Sequence, residues 1–516
     1  MRKKSVFFLK LVVFLCLLAC ALNMLGTLLD GGADVMQAAS SLNHLPLNSV
    51  DVFWLGTSHL HAGVVPQRLY DEYGITSAMV TGNAIGLDAT YRELQEALLR
   101  QNPQVVVLDV YPAAAPYCYH YVPNAIALGL AGQYPEGNNA YNTVTGLARW
   151  LPLGSPYKPL AILDLALRQR IADESVIQVA RFHARYGNIS RSNFLHLWGE
   201  NRITQSFGYV YSNERLAQEA LVYRAYSSDA ALEPYEQGYL WTFTGEQLAQ
   251  VRLLDSTVAS LDRIISLCEK NNLPLVLCAV PYVMNDAERL MYDQVAAYCR
   301  ERGVAWVDPA DTGLEGLDVM WDYGHLNYDG AVRNTDFWGE YLLNAYDLPD
   351  RRQSGDDRYA AWRENAGSDV QLNAARNLWT IYDLTEYLGV CATLGDDYLV
   401  LVAADGAEGL SDGNYALLSG LGFDAQTLEA WRAAGGTFAG VSRGGESAFA
   451  LYEPALTELD RTIYLCGHHV NFTRQNGMVC WTVDGEVAGY GTGELVVGVF
   501  SIVDDALMFH RSFAMN

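Results

Sequence analysis

Three short runs, Val52 to Leu55, Val105 to Val110 and Leu275 to Val280, are apolar at nearly every position; Asp109 is the one charged residue among them. Strands that are hydrophobic on both faces belong inside a parallel sheet covered by helices. The segments between them read as those helices. Val64 to Tyr73 has Pro66 near its start and Gly74 just past its end, the usual asymmetry of helix termini. Ser77 to Val80 is a second short strand. Asp88 to Gln101 follows as a helix with Leu94, Ala97 and Leu98 on one face and Asp88 as its cap. The rhythm breaks over 112–250, a Tyr-, Asn-, Gly- and Trp-rich stretch read as an insertion that builds a substrate groove. It then resumes with a helix over Glu246 to Asn271, a helix over Asp286 to Arg302 closed by Gly303, a strand over Val304 to Val307, and a helix over Gly330 to Asn344 that Asn327 can cap. The pattern predicts an α/β domain with a parallel sheet over 50–346.

The two ends differ from this centre. Arg2, Lys3 and Lys4 precede an apolar stretch, of which 11–29 is long enough for one membrane crossing. Basic residues ahead of a span keep the amino terminus cytoplasmic, so 1–30 is expected to be a stub and transmembrane anchor. A cleaved signal peptide and a lipoprotein signal at Leu17-Leu18-Ala19-Cys20 are the alternatives. With the anchor, the bulk of the chain lies outside the cell, after a spacer at 31–49, and the lipid bilayer is its first partner. At the other end the composition turns to Asp, Arg, Ser and Gly over 347–376, a linker. Short glycine-punctuated strands over 377–516, with helices at Asn414 to Leu421 and Ala425 to Ala434, then predict an α+β or β-rich module.

Charge and cysteines narrow the function classes. Asp and Glu outnumber Lys and Arg by 59 to 34, giving a net charge of -25 that repels phosphate backbones and disfavours nucleic acid as a partner. No Cys-x-x-Cys pair occurs, and no metal or other cofactor is expected. His59 and His61 lack neighbouring ligands of the right type. His468-His469 reads as a strand-end pair. A disulfide between Cys466 and Cys480 stays open.

Chemistry concentrates after the first strand, in Gly56-Thr57-Ser58-His59. The carboxyl ends of parallel strands are where ligands and reacting groups collect, and Ser58 stands there as a candidate nucleophile. Acyl transfer through serine needs a base, a group that orients the base, and N–H donors for the oxyanion. Asp322-Tyr323-Gly324-His325 precedes the last helix of the domain, so one loop could deliver both carboxylate and imidazole. Asn83, after the second strand, could donate to the oxyanion beside the Ser58 backbone N–H. The Gly-x-Ser-x-Gly elbow is absent, because Leu60 occupies the position of its second glycine.

These blocks resemble the SGNH (GDSL-like) hydrolase superfamily over roughly 50–345. More narrowly they look like its membrane-anchored branch, with the D-alanyl-transfer protein DltD and the alginate acetylation proteins. The matching residues are Gly56-Thr57-Ser58-His59, Gly82-Asn83, and Asp322-x-x-His325-Leu326-Asn327-x-x-Gly330-Ala331. The resemblance implies a flavodoxin-like three-layer domain in which Ser58 is the nucleophile, His325 the base and Asp322 its orienter. Asn83 and the Ser58 N–H would be oxyanion donors, with Gly82 or Gly86 as the oxyanion glycine and His59 near the substrate. Thr57 replaces the usual aspartate. The implied activity is that of a serine esterase or O-acyltransferase on a cell-surface glycan or acylated sugar, with a membrane-bound O-acyltransferase as a partner. A non-catalytic scaffold or glycan-binding protein of the same fold is the alternative. In the last module, Asp397 to Val402, Ala416 to Gly422, Gly436 to Val441, Val483-Asp484-Gly485 and Gly493 to Val499 resemble the interleukin-like EMT-inducer (PANDER-like) module. Relatives of that module include carbohydrate-binding stem domains, which implies glycan binding.

Overall fold

The computed structural model describes residues 45–82, 86–114, 207–216, 244–314, 316–406, 410–454, 458–492 and 494–514, with the single positions Lys10, Phe14 and Leu42. The expected anchor at 11–29, Asn83 and most of the 112–250 insertion lie outside these residues. Among the described residues, no helix is long and apolar enough to cross a membrane. The chain divides into two compact units, Met1–Gly367 and Ser368–Asn516.

In the first unit, strands β1 (Val52–Gly56), β2 (Ser77–Thr81), β3 (Val105–Asp109), β4 (Leu275–Cys278) and β5 (Ala305–Val307) form one sheet in the order β2-β1-β3-β4-β5. All four pairings are parallel. Alternate side chains of the strands enter two separate cores. Phe53, Leu55, Val106, Leu108 and Leu277 meet helices α3 (Leu87–Ala97), α4 (Asp255–Lys270) and α5 (Asp286–Arg302). Val52, Trp54, Val105, Val107 and Cys278 meet α1 (Ser58–Gly63), α2 (Pro66–Tyr73) and α6 (Tyr328–Ala345) on the other face. Period-2 alternation with both faces covered is why these strands read as unbroken apolar runs.

Local departures from the sequence reading have physical reasons. The single helix expected over Glu246 to Asn271 is two: Thr244 starts a one-turn helix with a capping box, and α4 begins afresh at Asp255. The region read as the first part of a linker is instead attached to the first unit. Arg351 makes a two-pronged ion pair with Asp51 (2.7 and 3.0 Å), and buried Trp362 stacks on Phe207 with ring centroids 4.8 Å apart. The second unit therefore starts at Ser368.

The second unit has two antiparallel sheets. One has the order β14-β13-β6-β7-β8 and the other β12-β11-β10-β9. Their ranges are β6 (Tyr398–Asp405), β7 (Thr437–Arg443), β8 (Glu446–Glu453), β9 (Leu459–Leu465), β10 (His468–Gln475), β11 (Met478–Val483), β12 (Glu486–Thr492), β13 (Glu494–Ser501) and β14 (Ala506–Ala514). β6 is buried on both sides. Val400 and Val402 face a core shared with helices that includes Trp431, whereas Leu399 and Leu401 face Val470, Phe472 and Trp481 of the other sheet. Cys466 and Cys480 are free thiols, so the possible bridge between them is not formed.

Candidate active site

The site lies where β1 and β3 run side by side and their connections leave in different directions. β1 ends at Gly56, whose φ of +148° is unfavourable for other residues; a Cβ there would sit 2.9 Å from the Asp109 Cβ. Glycine thus lets the strand end pass close to β3. The chain then turns at Thr57, in extended conformation, and Ser58 is the first residue of α1. The Thr57 hydroxyl donates to Asp109 Oδ2 (3.0 Å), and its oxygen accepts from the His59 N–H (3.4 Å). One side chain both caps the helix and fixes the turn to β3.

The second half of the site comes from the loop before α6. Buried Asn327 holds that loop in shape: its Nδ2 donates to the carbonyls of Asp318 (2.7 Å), Glu214 (3.1 Å) and Met320 (3.3 Å), and its Oδ1 accepts from the Gly330 N–H (3.1 Å). Asn334 on α6 donates to the Gly63 carbonyl at 2.7 Å, and the Thr335 hydroxyl accepts from the Val65 N–H at 2.9 Å. These bonds tie α6, and the loop at its start, to the end of the helix that Ser58 begins.

As a result, three residues meet. Ser58 Oγ is 2.9 Å from His325 Nε2, and His325 Nδ1 is 2.9 and 3.0 Å from the two Asp322 oxygens. With Nδ1–H donated to the carboxylate, Nε2 is left to accept the serine proton. Asp322 Oδ1 also accepts the N–H groups of Gly324 (2.7 Å) and His325 (2.8 Å). Burial works to raise its pKa, but the hydrogen bonds from His325 and the backbone, with the imidazole's charge, hold it below the ordinary value. It remains a carboxylate.

His59 sits beside this chain of hydrogen bonds. Its ring stacks on Tyr111 (centroids 3.8 Å apart), meets Tyr282 edge-on at 4.9 Å and lies 5.2 Å from the His325 ring. Burial first, then the charges of His325 and His61, push its pKa well down, so it is neutral and does not oppose a positive charge on His325. Its Nδ1 is buried without a hydrogen-bond partner among the described residues. Asp109 is also fully buried, and burial raises its pKa to about 7 against hydrogen bonds from Thr57 and the Tyr111 N–H.

The oxyanion donors expected from sequence fare differently. Ser58 N–H, at the first position of α1, has no intrahelical acceptor. Gly82 does not qualify: its N–H already donates to the Gly56 carbonyl at 3.1 Å, because it continues the β1–β2 ladder. Asn83 lies outside the described residues. Asp109, Tyr111 and Tyr282 lie beside the site but belong to none of the sequence blocks that point to it; the lone Asp within the apolar run of β3 is the available signal for the first. No protein-family model matches the chain, and no curated protein matches it.

Proposed function

We propose that the protein is a serine esterase or O-acyltransferase of the SGNH type. The observation that carries this reading is the continuous Ser58–His325–Asp322 hydrogen-bond chain, built at the carboxyl end of the central strands. The strand order 2-1-3-4-5 is that of flavodoxin-like sheets, in which sites form at the switch point between the first and third strands. In this reading Ser58 Oγ attacks an ester carbonyl while His325 Nε2 takes its proton. The Ser58 N–H helps to stabilise the oxyanion, and the tetrahedral intermediate collapses to an acyl-serine. The leaving alcohol receives the proton from His325. Water or a sugar hydroxyl, deprotonated by His325, then takes the acyl group.

The proposed substrate is an acylated cell-surface polysaccharide outside the membrane, with a membrane-bound O-acyltransferase as acyl source. The family resemblance supports that substrate class, and the exposed rings of Tyr464 and Tyr490 in the second unit offer apolar faces of the kind that sugars pack against. A fluorophosphonate probe and an acetyl ester test the chemistry. Labelling should require Ser58, and Ser58→Ala and His325→Ala should each lower turnover by about 10³-fold or more, since the members act as a unit. No Ser58-dependent adduct, with ester turnover unchanged in Ser58→Ala, would leave a non-catalytic scaffold of the same fold.

A further inference from the structure

Three hairpin turns of the second unit converge on one imidazole. His468 opens β10, Asp484 lies in the β11–β12 turn, and Asp505 lies in the β13–β14 turn. His468 Nδ1 is 2.8 Å from Asp484 Oδ2 and 3.6 Å from Asp505 Oδ1, and the three donor atoms all lie within 4.8 Å of one another. The histidine side chain is 5% exposed, whereas the two carboxylates are 40% and 34% exposed. A buried nitrogen thus forms the floor of the cluster and two carboxylates form its open side.

Turn chemistry explains only part of this. Asp484 has a φ of +50° and precedes Gly485, as expected for a hairpin turn. Asn476 and Gly477 adopt the same conformation in the β10–β11 turn, at φ of +55° and +77°, with a neutral side chain. The backbone therefore does not require a charge at 484, nor does it require the carboxylates of 484 and 505 to approach the same nitrogen. Asp484 is fixed by exchange with His469, whose N–H donates to Oδ1 at 2.8 Å while the Asp484 N–H donates to the His469 carbonyl at 2.8 Å. The His468 ring is held edge-on against Phe500 at 5.0 Å. The oxygens of the two carboxylates lie within 4.8 Å of each other, and a cation bound between them would offset their repulsion.

We propose that His468, Asp484 and Asp505 form a binding site for a divalent transition-metal ion of the Zn²⁺ class. Metal–ligand bonds of about 2.0–2.2 Å place neighbouring donors of a tetrahedral site roughly 3.4 Å apart, a value bracketed by the 2.8 and 3.6 Å that separate the His468 nitrogen from the two carboxylate oxygens. One imidazole nitrogen with two carboxylates suits Zn²⁺ better than Ca²⁺, which takes six to eight oxygens. Water completes the coordination from the exposed side. The site stands apart from the Ser58 triad in sequence and does not depend on the proposed activity.

Titration of the full chain with ZnCl₂, followed by calorimetry and by thermal unfolding, tests it. The expected result is one saturable ion per chain and a rise in the melting temperature of the second unit. His468→Ala should abolish binding, and Asp505→Asn, a change at an exposed turn, should weaken it at least tenfold. His325→Ala should leave this binding intact, which separates the site from adventitious capture by the triad histidine. Absence of saturable binding, or binding that survives Asp505→Asn but is lost in His325→Ala, overturns the proposal.

Discussion

Thr57 Oγ1 donates to Asp109 Oδ2 across 3.0 Å, joining the turn that presents Ser58 to the end of the neighbouring strand. Both residues are buried, and the same hydroxyl oxygen caps α1. Thr57→Val keeps the shape but removes the donor and the cap. It should cost about 1–3 kcal/mol in urea unfolding and slow fluorophosphonate labelling of Ser58. Labelling at the wild-type rate would show that the turn is held by other contacts.

Asp109 gives the same link a pH dependence. Its pKa is about 7 in the folded protein, raised by burial from 3.8. Between those values the folded state keeps a proton that the unfolded state has lost, so stability falls as pH rises through the window. The loss is complete above the folded value and amounts to at most about 4 kcal/mol. In Asp109→Asn this contribution is absent. The stability of the variant relative to wild type should therefore climb between pH 4 and pH 8 in urea titrations of the first unit. A difference that stays constant with pH would refute the assignment.

His61 works in the opposite direction. It is buried, and burial together with the charge of His325 lowers its pKa from 6.5 to about 3. Below pH 6.5 the unfolded chain takes up a proton that the folded protein refuses, so stability is lost as pH falls. From pH 7 to pH 4.5 the loss should reach roughly 2–3 kcal/mol. His61→Gln should flatten that limb of the stability curve, measured from denaturation midpoints at the two pH values.

The parts of this fold that were legible in sequence are those where a single local pattern decides the outcome. β1, β3 and β4 are buried on both faces and contain almost nothing polar, and Gly303 and Asn327 terminate or cap helices by purely local geometry. Ser58, His325 and Asp322 were readable because the loop that carries two of them has a fixed spacing. β10 is different. Its inward positions are His468, Val470, Phe472 and Arg474, and the two polar ones are buried only because partners far along the chain receive them. The same reason hid Asp109, whose partner Thr57 lies 52 residues earlier. Long-range polar pairing leaves no periodicity to read.

The docking of residues 348–366 on the first unit makes a proteolytic prediction. Asp51 is 4% exposed and accepts from Thr76, Gln104 and both prongs of Arg351. Arg351→Ala removes the only charged member of that set and should cost on the order of 2–3 kcal/mol, discounted for the partial exposure of the arginine. Limited trypsin digestion should then cut faster at Arg352 and Arg358. If the cleavage rates match wild type, this ion pair does not hold the segment down.

Arg474 and Asp405 form the corresponding buried pair of the second unit. Their side chains are each 9% exposed; Arg474 Nε lies 2.8 and 3.0 Å from the two carboxylate oxygens, and the Thr437 hydroxyl donates to Asp405 at 2.6 Å. Because Arg474 belongs to β10 and Asp405 to β6, the pair spans the two sheets. Arg474→Met would leave a carboxylate in the interior without its cation and should cost about 3–5 kcal/mol. Replacing both, as Arg474→Met with Asp405→Leu, removes the stranded charge, although the Thr437 hydroxyl then loses its acceptor. The double variant should recover at least half of the loss in calorimetric unfolding. Equal destabilisation in the single and double variants would mean that the arginine acts by packing its hydrocarbon stem rather than by pairing its charge.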